Sequence, residues 1–272
     1  MRVLLSHFYN EEYLLPWWLK HHREMFDHGV LIDYHSTDRS VEICRELVPD
    51  WEIVTSEHKT FAGIMCDFEV MKHEERFPGA WKLALNTTEF LVGDQLDGVI
   101  RFLETNDFLA GRIPGAVMVD PEPDLAPRHD LPLVEQKHYG FWESEFPHAE
   151  LAVWWMRTAH RTRVLHRYFV GAYTPGRHTS SLPRQAPVFP AHLGIWWYGY
   201  SPWTPEFIAR KAQIKTKVEP SDPEKYNFGR QHMAEVAEMA ERRAFLLPYS
   251  HLLECAPTPK RAVTKTKSWA RK

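Results

Sequence analysis

Short apolar runs alternate with amphipathic stretches over the first 120 residues, and that alternation constrains the fold more than any other feature of the chain. Arg2–Ser6, Gly29–Asp33, Trp51–Thr55 and Trp81–Leu85 have the length and composition of strands. Between the first two, Glu12–Phe26 places Leu15, Trp18, Leu19, Met25 and Phe26 at helical spacing, and Pro16 falls in or near the first turn, where its missing N–H costs least. Asp38–Val48 reads as a second helix behind a Ser/Thr/Asp cluster suited to capping, and Phe61–Arg76 as a third. Strands alternating with helices imply βαβ units and a largely parallel sheet, an α/β fold. Ligands of such sheets bind beyond the carboxyl ends of the strands, so the loops that follow each strand hold the candidate site.

Three of those loops are polar. Ser6-His-Phe-Tyr9-Asn10-Glu11-Glu12 follows the first strand, Asp33-Tyr-His-Ser36-Thr37-Asp38-Arg39-Ser40 the second, and Asn86-Thr-Thr88-Glu89 the fourth. The last breaks the apolar run WKLALNTTEFLV, which resumes at Phe90-Leu91-Val92. Taken singly, each loop also reads as turn and cap chemistry, since Asn, Ser, Thr and Asp favour both.

Taken together, FYNEE, then DYHSTDRS, then a strand ending in xxxEFL resembles the family 2-type glycosyltransferases of the GT-A fold, in the branch with an NE loop, a D…STD.S loop and a DADEFL strand end. The match covers residues 2–92 well and is more diffuse to about residue 218, where Arg163–Arg167, His178, His192 and Ser201–Lys211 resemble the branch's later pattern. The resemblance implies a GT-A domain over residues 1–255, with a mixed, mainly parallel sheet flanked by helices, a nucleotide-sugar-binding half at 1–110 and an acceptor half at 111–255. It implies that Tyr9, Asn10, Glu11 and Glu12 line the nucleotide pocket and that Asp33 accepts hydrogen bonds from the base or ribose of a nucleotide-sugar donor. Ser36, Thr37 and Asp38 would shape the same wall, Asp38 doubling as a helix cap.

The DADEFL position carries a departure. In the family its aspartates hold a divalent cation, Mn or Mg, that neutralises charge on the leaving diphosphate. Here Asn86 and Thr88 stand at those positions and only Glu89 keeps a carboxylate, a degenerate DxD. Neutral oxygens are weak ligands for such cations, so the expectation is a weakly held metal on Glu89 with His192, His178 being a further candidate. The alternatives are a metal-free site in which Arg163, Arg167, Arg177, Arg210 or Lys211 meets the diphosphate, or a catalytically silent protein that only binds nucleotide-sugar or glycan.

An inverting transferase needs a general base for the acceptor hydroxyl, and the carboxylates among aromatics in HYGFWESE make Glu143, then Glu145, the candidates. The proline- and charge-rich stretch Asp120–Pro132 reads as a loop able to order over the donor, and Ile195–Trp203, with five aromatics, as core strand or stacking platform. Pro205–Lys217 and Pro223–Leu247 read as helices.

Charge bears on the acceptor. The chain is −3 overall, but residues 260–272 carry six basic side chains and no acid, which leaves −9 (−3 minus 6) on the rest. Residues 256–272 thus read as a disordered basic arm suited to nucleic acid or an anionic membrane surface. The acceptor classes that follow are a glycan or lipid-linked sugar, or a hydroxymethylated base in DNA. No run approaches the roughly 18–20 apolar residues a membrane span needs, and MRVLLSHFYN is too short in apolar residues for a secretion signal, so the expected compartment is cytoplasmic. Cys44, Cys66 and Cys255, an odd number without CxxC spacing, indicate neither a disulfide framework nor structural zinc.

Overall fold

The structure is a computed structural model that describes residues 1–147, 162–186, 193–226 and 229–254. Four strands, β1 (Arg2–Phe8), β2 (His28–Asp33), β3 (Glu52–Thr55) and β4 (Trp81–Ala84), pair in parallel in the order β3-β2-β1-β4. Helices α1 (Leu15–His22), α2 (Ser40–Leu47) and α3 (Gly63–Glu74) make the crossovers, as the alternation predicts. Beyond β4 the sheet continues antiparallel through β9 (Arg163–His166) to β6 (Ala110–Ile113), and ends at β10 (Gln185–Ala186), parallel to β6. This sheet is mixed, mainly parallel and flanked by helices.

Alternate residues of β1 face opposite sides, and each side has its own core. Leu4 and Phe8 join Leu31, Leu83 and the residues of α1 and α2, whereas Val3 and Leu5 join Val30, Ile32 and, from α3, Cys66 and Val70. The strand positions among these are at most 1% exposed; full burial of one such side chain contributes about 1.5–3 kcal/mol.

After β4 the chain crosses to a second sheet, ordered β12-β8-β7-β11-β5, built from β5 (Glu89–Val92), β7 (Gly115–Val119), β8 (Tyr139–Trp142), β11 (Gly194–Tyr200) and β12 (His251–Leu252). Only β7 and β11 pair in parallel there. The WWLKHH stretch of α1 fixes β5 through its backbone. Trp18 Nε1 donates to Glu89 O (2.8 Å), His21 Nε2 to Leu91 O (2.7 Å), and His22 Nε2 accepts from Leu91 N–H (3.1 Å). Buried backbone groups need such partners, so α1 acts as a further edge for β5.

Elsewhere the elements are shorter than their periodicity suggests. The span Pro205–Lys217 forms α6 (Pro205–Gln213) and a single 3-10 turn, Ile214–Thr216. Pro223–Leu247 holds α7 (Val236–Leu246) and, before it, a 3-10 turn at Arg230–Met233 that starts from Gly229 at φ +68°. A left-handed glycine ends helical propagation. Two further helices, α4 (Leu96–Thr105) and α5 (Leu133–Gln136), complete the set used below.

The stretch 120–132 is a loop. It packs on α1, where Trp17 Nε1 donates to the carbonyls of Arg128 (3.0 Å) and Leu131 (3.1 Å) and the His129 ring stacks on Trp17 at 3.8 Å. Cys44 and Cys66 are buried free thiols; Cys255 and the basic arm lie outside the described residues. Among the described residues, no helix is long and apolar enough to cross a membrane.

Candidate functional site

The loops after β1, β2 and β4 converge at the carboxyl edge of the first sheet. Asn10, held at φ +48°, ties the first two together: its N–H donates to Ser36 Oγ (3.0 Å), its Oδ1 accepts from Thr37 N–H (2.7 Å) and its Nδ2 donates to Thr37 Oγ1 (3.2 Å). Asparagine tolerates this left-handed conformation better than most residues. Glu11 N–H donates to Ser40 Oγ (2.7 Å), Glu12 N–H to Asp38 Oδ2 (3.1 Å), and Asp38 Oδ1 accepts from Ser40 N–H (3.0 Å). Glu12 returns the contact by accepting from Arg39 N–H (3.1 Å). The NE and STD motifs are thus one interlocked clamp, and Glu12, Ser36, Thr37 and Asp38 spend polar atoms on holding it.

Asp33 ends β2 and is 7% exposed. Its Oδ1 accepts from Ser36 N–H (2.9 Å), while Oδ2 accepts no hydrogen bond among the described residues. Near it, the Lys217 ammonium sits 4.2 Å from the centre of the Tyr9 ring and donates to Lys59 O (2.9 Å). Burial draws the Lys217 amine down from its ordinary value, and Asp33 works against that shift. Lys217 is brought there by a parallel bridge between Phe61 and Val218, in which Phe61 N–H donates to Lys217 O (2.7 Å) and Glu219 N–H to Phe61 O (3.0 Å).

α6 closes the other side of the first loop. Gln213 Nε2 donates to Asn10 O (2.8 Å), Tyr13 Oη and Thr204 Oγ1 lie 2.9 Å apart, and Arg210 pairs with Glu11. Burial pushes the Glu11 carboxyl up, with the Arg210 charge and hydrogen bond opposing. Glu11 and Arg210, 4% and 6% exposed, form a buried ion pair rather than an open ligand set.

The strand end at Asn86–Glu89 has an arrangement that its local sequence does not reveal. Arg163 of β9 grips both oxygens of Glu89, with Nε on Oε2 at 2.8 Å and Nη2 on Oε1, and Asn86 N–H also donates to Oε2 (2.8 Å). Arg177, at φ +61°, pairs with Asp67 Oδ1 (2.6 Å), donates through Nη2 to Asn86 Oδ1 (2.7 Å) and meets His7 Nδ1 at 3.3 Å. Burial, then the charges of Arg177 and Arg163, hold the His7 imidazole well below its ordinary range, so it accepts as a neutral ring. Arg163 Nη1 further donates to Gly176 O (2.6 Å) and lies 3.1 Å from His178 Nδ1, which places His178 beside guanidinium groups.

These residues do not fit a divalent cation. Glu89 has both oxygens engaged by Arg163, and Asn86 offers its amide oxygen to Arg177, so neither is left to ligate a cation. Among the described residues, no three His, Cys, Asp or Glu side chains come together as a metal could use them. His192, the expected second ligand, lies outside the described residues.

Strand register also separates the acceptor-side carboxylates from this centre. Glu89 is level with Trp197, Val117 and Phe141, and the chain of β8 runs on from Phe141 away from the strand end to Trp142 and Glu143. Three strand spacings and two residues put Glu143 about 15 Å from Glu89. Glu143 is buried and Glu145 exposed, the latter accepting from Trp142 N–H (3.3 Å). What the register does bring to the same edge is Asp120, at the end of β7, which pairs with Lys137 (2.8 Å) and accepts from Trp203 N–H (3.0 Å). Lys211 lies there too, 4.7 Å and 5.3 Å from the ring centres of Tyr200 and Trp197. Arg167 is remote, beside Trp81 at the opposite end of β4.

No protein-family model matches the chain, and no curated protein matches it. Among solved structures, residues 1–349 of S. aureus TarS in complex with UDP-GlcNAc overlap with a TM-score of 0.44 at 12% identity, over 90% of this chain and 71% of that one. The same fragment in a second crystal structure gives 0.42 at 12% identity over 90% and 70%, and the longer TarS chain is covered to 42%. At that identity and overlap we draw nothing about this chain's chemistry from the likeness.

Proposed function

We propose that this chain is a GT-A-type glycosyltransferase that takes a nucleotide-activated sugar and transfers the sugar to an acceptor hydroxyl with inversion. The observation that carries the reading is Asp33: a carboxylate nearly buried at the end of a parallel strand, braced by the Asn10–Ser36–Thr37 clamp, with one oxygen still able to accept. A base or ribose donor group suits that oxygen, and the Tyr9 ring with Lys217 above it suits the rest of a nucleoside. Glu11, Glu12, Ser36, Thr37 and Asp38 then act by holding the pocket, and Asn86 and Thr88 face the diphosphate.

In the reaction the acceptor oxygen bonds to the anomeric carbon, and the bond from that carbon to the phosphate oxygen breaks with its electron pair on the nucleoside diphosphate. The acceptor proton passes to a carboxylate. Glu143 and Glu145 are the sequence candidates for it; Asp120, on the site-facing edge, has both oxygens engaged by Glu122 N–H, Trp203 N–H and Lys137. Trp197 and Trp203, both partly exposed, are the aromatic side chains of that edge against which a sugar or a base would pack. The acceptor classes remain a glycan or lipid-linked sugar, and a hydroxymethylated DNA base reached with the help of the basic arm.

A second reading, a donor-binding protein without transfer activity, is favoured by the capture of Glu89 by Arg163. The test of the main reading is a thermal-shift series with UDP, GDP and their sugar conjugates. Stabilisation that disappears in folded Asp33→Ala supports the pocket; equal stabilisation of both proteins, or none of either, sinks it. Slow release of free sugar from a bound conjugate separates a transferase from a silent binder.

A further inference from the structure

The failure of the strand end to fit a divalent cation is specific in form, because the Asn86 amide oxygen and both Glu89 carboxylate oxygens meet guanidinium groups instead. We infer that Arg177, supported by Arg163, takes the place of the metal at this site and supplies the fixed positive charge that faces the donor's diphosphate. The inference rests on the reading of the site as a nucleotide-sugar pocket.

Several features carry it. Asn86 Oδ1, at the position of the expected first metal-binding aspartate, accepts from Arg177 Nη2 at 2.7 Å, so the guanidinium occupies the direction in which a cation would be held. Glu89, the sole carboxylate of the motif, is closed by the fork of Arg163, and both arginines are at most 3% exposed. Arg177 Nε has no hydrogen-bond partner among the described residues, which leaves a buried charged donor uncommitted. A buried donor of this kind is costly unless something satisfies it. Arg177 also sits in the left-handed region at φ +61°, strain that persists where the surroundings over-determine it and that concentrates at ligand sites. With the fork split between Asp67 and Asn86, the group is preorganised before donor arrives.

A guanidinium suits a diphosphate, to which it offers planar, charge-assisted N–H donors, and it never loses its proton at working pH. Unlike a bound cation, it arrives with the fold. The affinity of the protein for nucleoside diphosphate therefore does not depend on divalent metal.

The test is a calorimetric titration of the full chain with UDP and GDP, and with uridine and guanosine, in EDTA and again in excess manganese. We expect one base to bind, its diphosphate more tightly than its nucleoside, and the affinity to change less than twofold with manganese. A gain of tenfold or more with manganese overturns the inference while leaving the pocket standing. Binding of none of the four compounds removes the nucleotide-pocket reading, and the inference with it. Arg177→Ala should cost diphosphate affinity about ten- to hundredfold, the worth of one charge-assisted hydrogen bond, and leave nucleoside affinity unchanged. Should that variant not fold, Asn86→Asp decides: in a metal site the added carboxylate raises manganese affinity, whereas beside Arg177 it forms an ion pair and weakens diphosphate binding without creating a manganese response. A manganese response in Asn86→Asp, with wild-type diphosphate affinity, counts against Arg177.

Discussion

If Glu89 serves Arg163 rather than a metal or a proton transfer, removing its charge should be felt in stability before it is felt anywhere else. The two side chains are 4% and 3% exposed, and the carboxylate is joined by two guanidinium N–H groups and one backbone N–H. Glu89→Gln keeps the size and leaves Oε1 to accept from Asn86 N–H, but it strands the Arg163 charge in the interior. Removing one partner of a buried pair costs about 3–5 kcal/mol, a large share of the roughly 5–15 kcal/mol by which a domain is stable. For a chain of this size that corresponds to a fall in Tm of about 6–20 °C. Arg163→Met should cost a similar amount, because it leaves Glu89 charged and buried and also frees Gly176 O. The double variant should cost far less than the sum, since the stranded charge is then absent, and the cycle should return a coupling of at least 2 kcal/mol or so. The assay is urea unfolding at pH 7.5, at low and high salt, the latter because a pair shielded from solvent is screened little. A Glu89→Gln protein within about 1 kcal/mol of wild type, with additive single effects, would refute the structural role and leave Glu89 free to hold a cation.

Three further outcomes follow from the same geometry. Asp33→Ala should fold and lose nucleotide affinity about ten- to hundredfold, whereas Asp33→Asn, which keeps an acceptor for Ser36 N–H, should retain the clamp and lose only the charged contact; calorimetry with UDP and GDP reads the difference. His21, whose imidazole burial draws down from 6.5 to about 4, is neutral in the folded state, so acid protonates the unfolded chain first; its contribution is full above pH 6.5 and is lost as pH falls toward 4. That amounts to about 3 kcal/mol, and His21→Gln should flatten the fall in urea midpoint over that window; an unchanged slope in the variant counts against it. Deleting residues 260–272 removes six basic side chains and, for a DNA acceptor, should lower the slope of log K against log salt by about 0.9 for each phosphate the arm neutralises; an unaltered slope leaves the arm without that role.

The crossovers and the four parallel strands are legible in the sequence because their signals are local. Period-2 and period-3.6 patterns report burial within a few residues, and β1 to β4 with α1 to α3 follow them closely. The NE and STD loops are legible as a site for the same reason: they follow strands that must be parallel, so they must share an edge. What local pattern does not carry is pairing across the chain. Arg163 and Arg177 reach Glu89 and Asn86 from 74 and 91 positions away, and Lys217 reaches the Tyr9 ring through a bridge at Val218. A basic residue in a strand reads as edge or surface until the strand beside it is known. The order of the second sheet is likewise invisible to periodicity, and with it the end to which β8 delivers Glu143.

The break in WKLALNTTEFLV shows why one polar stretch supports two accounts. β4 ends at Ala84 in the first sheet and β5 begins at Glu89 in the second, so the chain must turn between sheets there. Glu89 N–H donates to Asn86 O (2.9 Å), and Asn86 N–H to Glu89 Oε2 (2.8 Å), which closes the turn on itself; Thr88 O then accepts from Tyr198 N–H (2.7 Å), so that the turn is also stitched to β11. Any chain making this crossing needs polar groups to satisfy the backbone it exposes. Those groups stand at the carboxyl edge of a parallel sheet, where ligands bind, so turn chemistry and site chemistry fall on the same four residues. Asn86 discriminates between them. A turn alone requires its backbone, whereas its side-chain oxygen is directed at a buried guanidinium that the turn does not need.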